Sequence, residues 1–188
     1  MNLLIIDNYD SFTYNLVQLV KQAGVQQFII VKNDRLLDLK NHYDKVLISP
    51  GPGLASEAGQ LMQYLQQHYR EASVLGICLG QEAIVELFGG KHFKLVNPLH
   101  GYRNKATLAK PHYIFKNLPA TFNIGHYHSW YVDEATFPEE LNILVNDELG
   151  LIMAVAHKQL DVTGLFFHPE SMMTDYGREM LYNWLYSG

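Results

Sequence analysis

The sequence predicts an α/β fold, a doubly wound sheet of parallel strands followed by a β-rich second half. Three observations carry this reading. Short apolar runs alternate with helix-patterned segments through the first 90 residues. Glycine-containing turns follow two of those runs, at Pro50–Gly53 and Gly76–Gly80. From Leu99 to Phe167 the long helical spacers disappear while β-type patterning continues.

The elements follow in chain order. Leu3 to Asp7 is a continuous apolar run, suited to a strand covered on both faces. Asp10 or Ser11 offers an N-cap for a helix through Phe12, Leu16, Leu19 and Val20, with Gly24 as its stop. Gln27 to Val31 and Lys45 to Ser49 read as the next strands, and the turn Pro50-Gly51-Pro52-Gly53 follows. Glu57 to Arg70 reads as one helix, because Leu61, Tyr64, Leu65 and His68 recur at helical spacing. Val74 to Ile77 is a strand, and Gln81 to Phe88 a helix stopped by Gly89-Gly90. Further on, Leu151 to Ala156 and Val162 to Phe167 flank a turn near Lys158-Gln159 and form a hairpin. Asp175 to Tyr186 is an amphipathic closing helix.

Length and composition set the limits. The chain has 188 residues, enough for one domain with a full core, and it is taken as one domain over 1–188. Its net charge is −5 and it has no Lys/Arg cluster, which disfavours a nucleic-acid partner. Cys78 is the single cysteine, so no internal disulfide can form and no zinc site needing two thiolates exists. The first residues lack a basic stretch and a small-residue cleavage site, and no apolar run approaches the roughly 20 residues that span a bilayer. The expectation is a soluble, cytoplasmic protein without a membrane partner.

Chemistry concentrates at three places. Gly76-Ile77-Cys78-Leu79-Gly80, between an apolar strand and a helix, has the form of a nucleophile elbow with cysteine as nucleophile. Its glycines permit a sharp turn, and the following helix N-terminus favours a thiolate. A buried structural thiol is the competing reading. His168-Pro169-Glu170 ends an apolar run and supplies an imidazole and a carboxylate where an open α/β sheet has its crevice; taken alone it is equally a surface turn. Ser49-Pro50-Gly51-Pro52-Gly53 lacks the Lys-Ser/Thr of a phosphate loop. Its backbone N–H groups can face a developing oxyanion, or the segment can be a plain tight turn. His126 and His128 share a strand face, but with no second thiol or acidic cluster nearby they are not assigned a metal. No cofactor is expected.

Together with Asp7-Asn8-Tyr9-Asp10-Ser11-Phe12-Thr13-Tyr14-Asn15, His100-Gly101, Tyr127-His128-Ser129 and the terminal Ser171 of His168-Pro169-Glu170-Ser171, these segments span nearly the whole chain. In this order they resemble the class I glutamine amidotransferases, most closely the small subunits (component II) of anthranilate synthase and aminodeoxychorismate synthase. The resemblance implies a flavodoxin-like sheet and a glutamine-hydrolysing activity. Cys78 would attack the carboxamide of L-glutamine, His168 would act as base and acid, and Glu170 would orient it. N–H groups of Gly53 and Leu79 would hold the oxyanion. Gly51, Pro52, Gly53, Glu82, Ser129 and Trp130 would bind substrate, and ammonia would pass to a chorismate-binding large subunit.

The sequence departs from the family pattern beside the nucleophile. Gln81-Glu82 stands where the family has His-Gln, so a carboxylate replaces a substrate-binding amide. Tyr102 stands for a family Lys, His126 for Arg and Trp130 for Leu. An ionised Glu82 would repel a thiolate and could only accept hydrogen bonds. Two further readings are therefore carried: a pseudo-amidotransferase with a structural or regulatory role, and a thiol hydrolase on a related scaffold.

Overall fold

The computed structural model describes residues 1–187. Nine strands form one mixed sheet in the order β2-β1-β3-β4-β9-β8-β7-β5-β6. The strands β1 (Leu3–Asp7), β2 (Phe28–Lys32), β3 (Lys45–Ile48), β4 (Ser73–Ile77) and β9 (Val162–Leu165) run parallel, in the flavodoxin-like order. The antiparallel extension is β8 (Ile152–His157), β7 (Leu141–Asp147), β5 (His92–Leu108) and β6 (Thr121–Val132).

Helices cover both faces, which is why β1 is apolar at successive positions rather than alternating. Leu3 and Ile5 pack with α1 (Thr13–Gln22) and α4 (Gly177–Ser187), in a core that includes Leu16, Val20 and Trp184. Leu4 and Ile6 point the other way, toward α2 (Leu61–His68) and α3 (Leu79–Leu87), into a core with Leu61, Leu65 and Ile84. All four β1 side chains are at most 1% exposed, each removing roughly 1.5–3 kcal/mol of apolar surface from water.

Several boundaries differ from those the patterning predicts, each for a local reason. Neither Asp10 nor Ser11 is the N-cap of α1; Phe12 holds that position with no side-chain cap. Asp10 Oδ1 instead accepts from Phe12 N at 2.7 Å, turning the chain just ahead of the helix. The helix expected over Glu57 to Arg70 is shorter because Gly59 adopts φ +58. Gly59 lies against Asn33, whose carbonyl receives the Gln60 N–H at 2.8 Å, and a 3-10 turn at Ala55–Glu57 precedes it. The β-rich region begins earlier than Leu99: β5 runs 17 residues from His92, with register shifts where it crosses Leu95–Pro98 and Gly101. The β8–β9 hairpin pairs as predicted, Val155 opposite Gly164.

Among the described residues, no helix is long and apolar enough to cross a membrane.

Candidate active site

Four strand ends build the site. β1, β3, β4 and β9 all finish on one edge of the sheet, and the segments following them carry Asn8, Gly51–Gly53, Cys78 and His168. This is the edge where an open α/β sheet presents its crevice.

Cys78 sits at the turn from β4 into α3 with φ +51 and ψ −101, a conformation costly for a non-glycine residue. The flanking glycines make that turn possible. A Cβ on Gly76 would fall onto the Gly80 carbonyl, and one on Gly80 would lie 3.0 Å from Ile48 Cβ and O. The Cys78 N–H donates to Leu165 O at 2.8 Å, tying the elbow to β9.

The loop after β3 is fixed by the loop after β1. Asn8 Nδ2 donates to Ser49 O at 2.8 Å, and the Asn8 N–H donates to Ser49 Oγ at 2.9 Å. Asn33 Nδ2 in turn donates to Asn8 Oδ1. A Cβ on Gly51 would meet Leu79 Cδ2 at 2.5 Å and Asn8 Cβ at 2.6 Å, so only glycine fits between these loops. Gly53 adopts φ +76. Among the described residues, the N–H groups of Gly53 and Leu79 donate to no other group.

His168 Nδ1 and Glu170 Oε1 are 2.7 Å apart, with side chains 3% and 0% exposed. The rings of Phe12 and Tyr127 pack edge-on to the imidazole at centroid distances of 5.2 and 4.9 Å. Thr174 Oγ1 donates to His168 O at 2.6 Å and accepts from Gly125 N, which anchors the loop to β6. Thus the sequence-predicted Cys78, His168 and Glu170 are brought together.

Burial alone would lower the His168 pKa, but the Glu170 carboxylate and the Cys78 thiol outweigh it and raise the imidazole well above its ordinary value. His168 Nε2 is buried without a hydrogen-bond partner of good geometry, and Cys78 is the group coupled to it. Burial is also the largest influence on Cys78 and pushes its thiol up, against His168, which lowers it. Burial thus works against the thiolate that the helix N-terminus favours.

A cavity of about 130 Å³ opens at Cys78. Gly51, Pro52, Gly53, Glu82, Ser129 and Trp130, the six positions picked out by sequence, all line it. It is far below the range of pockets for drug-sized ligands and suits a molecule of amino-acid dimensions. Three further lining residues, His100, Tyr127 and His128, were visible in the sequence only as members of motifs.

His128 and His126 form a buried pair. Their rings meet through His126 Nδ1 and His128 Nε2 at 2.9 Å. The outer nitrogens are engaged as well, His126 Nε2 with Asn104 Oδ1 at 2.7 Å and His128 Nδ1 with Trp130 O at 2.7 Å. Burial lowers the pKa of both, that of His128 to about 3.

Glu82, on the first turn of α3, is 2% exposed, and its Oε2 is buried without a hydrogen-bond partner. Burial, with a smaller push from Glu86, raises its carboxyl to about 8. Burial thus opposes the ionised carboxylate expected from the sequence.

Comparison with known proteins gives concordant results. The family model described as glutamine amidotransferase class-I matches residues 4–187. Anthranilate synthase component 2 of Lactococcus lactis is 40% identical over 97% of this chain and 93% of its own. Aminodeoxychorismate/anthranilate synthase component 2 of Bacillus subtilis is 35% identical over 97% and 95%. Aminodeoxychorismate synthase component 2 of Escherichia coli K12 is 33% identical over 98% and 99%. A crystal structure from Thermoplasma acidophilum superposes with a TM-score of 0.86 at 24% identity, covering 98% of this chain and 92% of that one.

Proposed function

Because this chain belongs to the class I glutamine amidotransferases, we propose that it is the glutamine-hydrolysing subunit of a chorismate-aminating synthase. The observation that carries this reading is the convergence of Cys78, with His168 and Glu170 behind it, on a cavity lined by Gly51–Gly53, Glu82, Ser129 and Trp130.

The reaction follows from these groups. Glutamine enters with its carboxamide carbon over Cys78. His168, held by Glu170, accepts the thiol proton as sulfur attacks. The N–H groups of Gly53 and Leu79 receive the negative charge that develops on the carboxamide oxygen. Collapse expels ammonia, which takes the proton from His168 and leaves a γ-glutamyl thioester. Water, deprotonated by the same imidazole, cleaves the thioester to glutamate and restores the thiol.

Ammonia then passes to a chorismate-binding large subunit. The named relatives, component 2 proteins of anthranilate and aminodeoxychorismate synthases, support that partnership and leave both aminations as candidates. The test is glutaminase activity of the chain alone and with each type of large subunit. Stimulation by one of them, and loss of about 10³-fold or more in Cys78→Ser, are expected. A parental rate in Cys78→Ser, or no complex with either subunit at micromolar concentration, would refute the reading. The pseudo-amidotransferase alternative rests on Glu82 and predicts complex formation with no glutaminase turnover.

A further inference from the structure

Glu82 occupies a position where only the N-terminus of α3 favours an ionised carboxylate. It is 2% exposed, and the lining of its cavity contains no Lys or Arg. The imidazoles nearby are committed elsewhere. His128 uses both ring nitrogens on His126 and Trp130 O, and His100 Nε2 faces Ser129 Oγ at 3.3 Å. His168 is bound to Glu170. Of the remaining neighbours, Glu86 discourages a negative charge. Glu86 lies one helical turn on and itself faces His92 Nδ1 at 3.7 Å, while Cys78 and Tyr127 share the cavity wall. A buried carboxyl in such surroundings is stable as the acid, and its raised pKa accords with that.

We propose that Glu82 binds substrate as a neutral carboxylic acid, its O–H serving as the hydrogen-bond donor in the glutamine pocket. A neutral carboxyl has one O–H donor and a carbonyl acceptor, so like a side-chain amide it can both donate and accept, with one donor where the amide has two. Glu82 Oε2 is sealed from solvent without a hydrogen-bond partner, where a charge would be costly and the acid is favoured. Loss of the proton removes the donor. It also places a negative charge beside Cys78 and beside the oxyanion that forms during attack. Glu82 thus makes glutamine recognition depend on pH through a group separate from Cys78 and His168. This inference rests on the glutamine-hydrolase reading.

The test separates the two. Glutamine affinity is measured by calorimetry on the Cys78→Ala chain, which neither turns over nor titrates at the thiol, from about pH 6 to about pH 9.5. The same series is run on Cys78→Ala/Glu82→Gln. The first variant should lose affinity approaching tenfold per pH unit above about pH 8, relative to the second, because one proton is then taken up on binding. The comparison cancels titration of glutamine itself. Superimposable profiles, with glutamine bound by both variants, would overturn the role of Glu82 while leaving the glutamine site intact. No binding by either folded variant would overturn both. Infrared spectroscopy checks the protonation without substrate: a carboxylic-acid C=O band present at neutral pH should vanish in Glu82→Gln, and its absence from the parent chain would also overturn the proposal.

Discussion

Replacing Gly76 with alanine tests the packing of the elbow. The backbone at Gly76 does not need positive φ, so the whole effect is steric. The new Cβ would overlap the carbonyl carbon and oxygen of Gly80 and lie 2.9 Å from Gln81 N. These are backbone atoms in the first turn of α3 and cannot rotate away as a side chain would. Nor is α3 free to retreat, because Gly80 already packs against Ile48 on β3. Overpacking a rigid contact of this kind costs about 3 kcal/mol. Gly89 is the control. It has φ +86, and a Cβ added there would have no neighbour within 4 Å, so alanine meets only the left-handed backbone cost of roughly 1–2 kcal/mol. With a urea slope of about 2 kcal/mol/M, Gly76→Ala should lower the unfolding midpoint by about 1.5 M and Gly89→Ala by roughly half that. Displacing the start of α3 by about 1 Å should also cost on the order of 10²-fold in glutaminase turnover of the folded variant. A midpoint for Gly76→Ala at or above that of Gly89→Ala would refute the steric argument.

Three other outcomes are expected. His168→Asn should lose about 10⁴-fold in turnover and Glu170→Gln less, since the second variant keeps the base and loses only its buried carboxylate partner; equal, negligible losses would return the loop to a structural role. Alkylation of Cys78 should accelerate as pH rises above neutral, because burial raises the thiol pKa, and Glu82→Gln should enhance it only above about pH 8, where Glu82 would otherwise carry charge. An enhancement of similar size at pH 6 would show that Glu82 is already ionised. Finally, the folded carboxyl of Glu82 titrates above its ordinary value of 4.5, so its contribution to stability is fully present below that pH and is lost as pH rises to about 8. The stability gained by Glu82→Gln should therefore grow across that window, reaching up to about 3 kcal/mol at neutral pH in chemical denaturation; a constant difference would place the residue in solvent.

The parts of the molecule readable from sequence are those governed by nearby residues. The run Leu3 to Asp7 is apolar at each of its first positions because helices cover both faces, and that condition is printed in the residues themselves. Gly76 and Gly80 likewise announce the turn that Cys78 occupies. The break at Gly59 was not legible, since it depends on Asn33 from a different connection. The protonation of Glu82 was hidden for a similar reason. Its sequence neighbours suggest a first-turn carboxylate favoured by a helix N-terminus, whereas the chain buries it on the wall of a cavity that also takes residues from β5 and β6. The histidine pair shows the same limit: spacing put His126 and His128 on one face, but Asn104 and Trp130 O determine what their nitrogens do.

The bond from Cys78 N to Leu165 O joins two neighbouring strands whose chain positions are far apart, with Ile77 and Val162 separated by 162 − 77 = 85 residues. Closing a flexible loop of that length costs roughly 4 kcal/mol in chain entropy. The intervening β5–β8 segment offsets this by folding into the sheet itself and delivering β9 to the β4 edge through the β8 hairpin. During synthesis the thiol, its glycine loop and α3 therefore leave the ribosome long before the imidazole that complements them. A nascent chain, or one cut before β9, carries Cys78 without His168. The His168 loop is in turn held close to the start of α4, where a Cβ on Gly177 would fall onto Pro169 O.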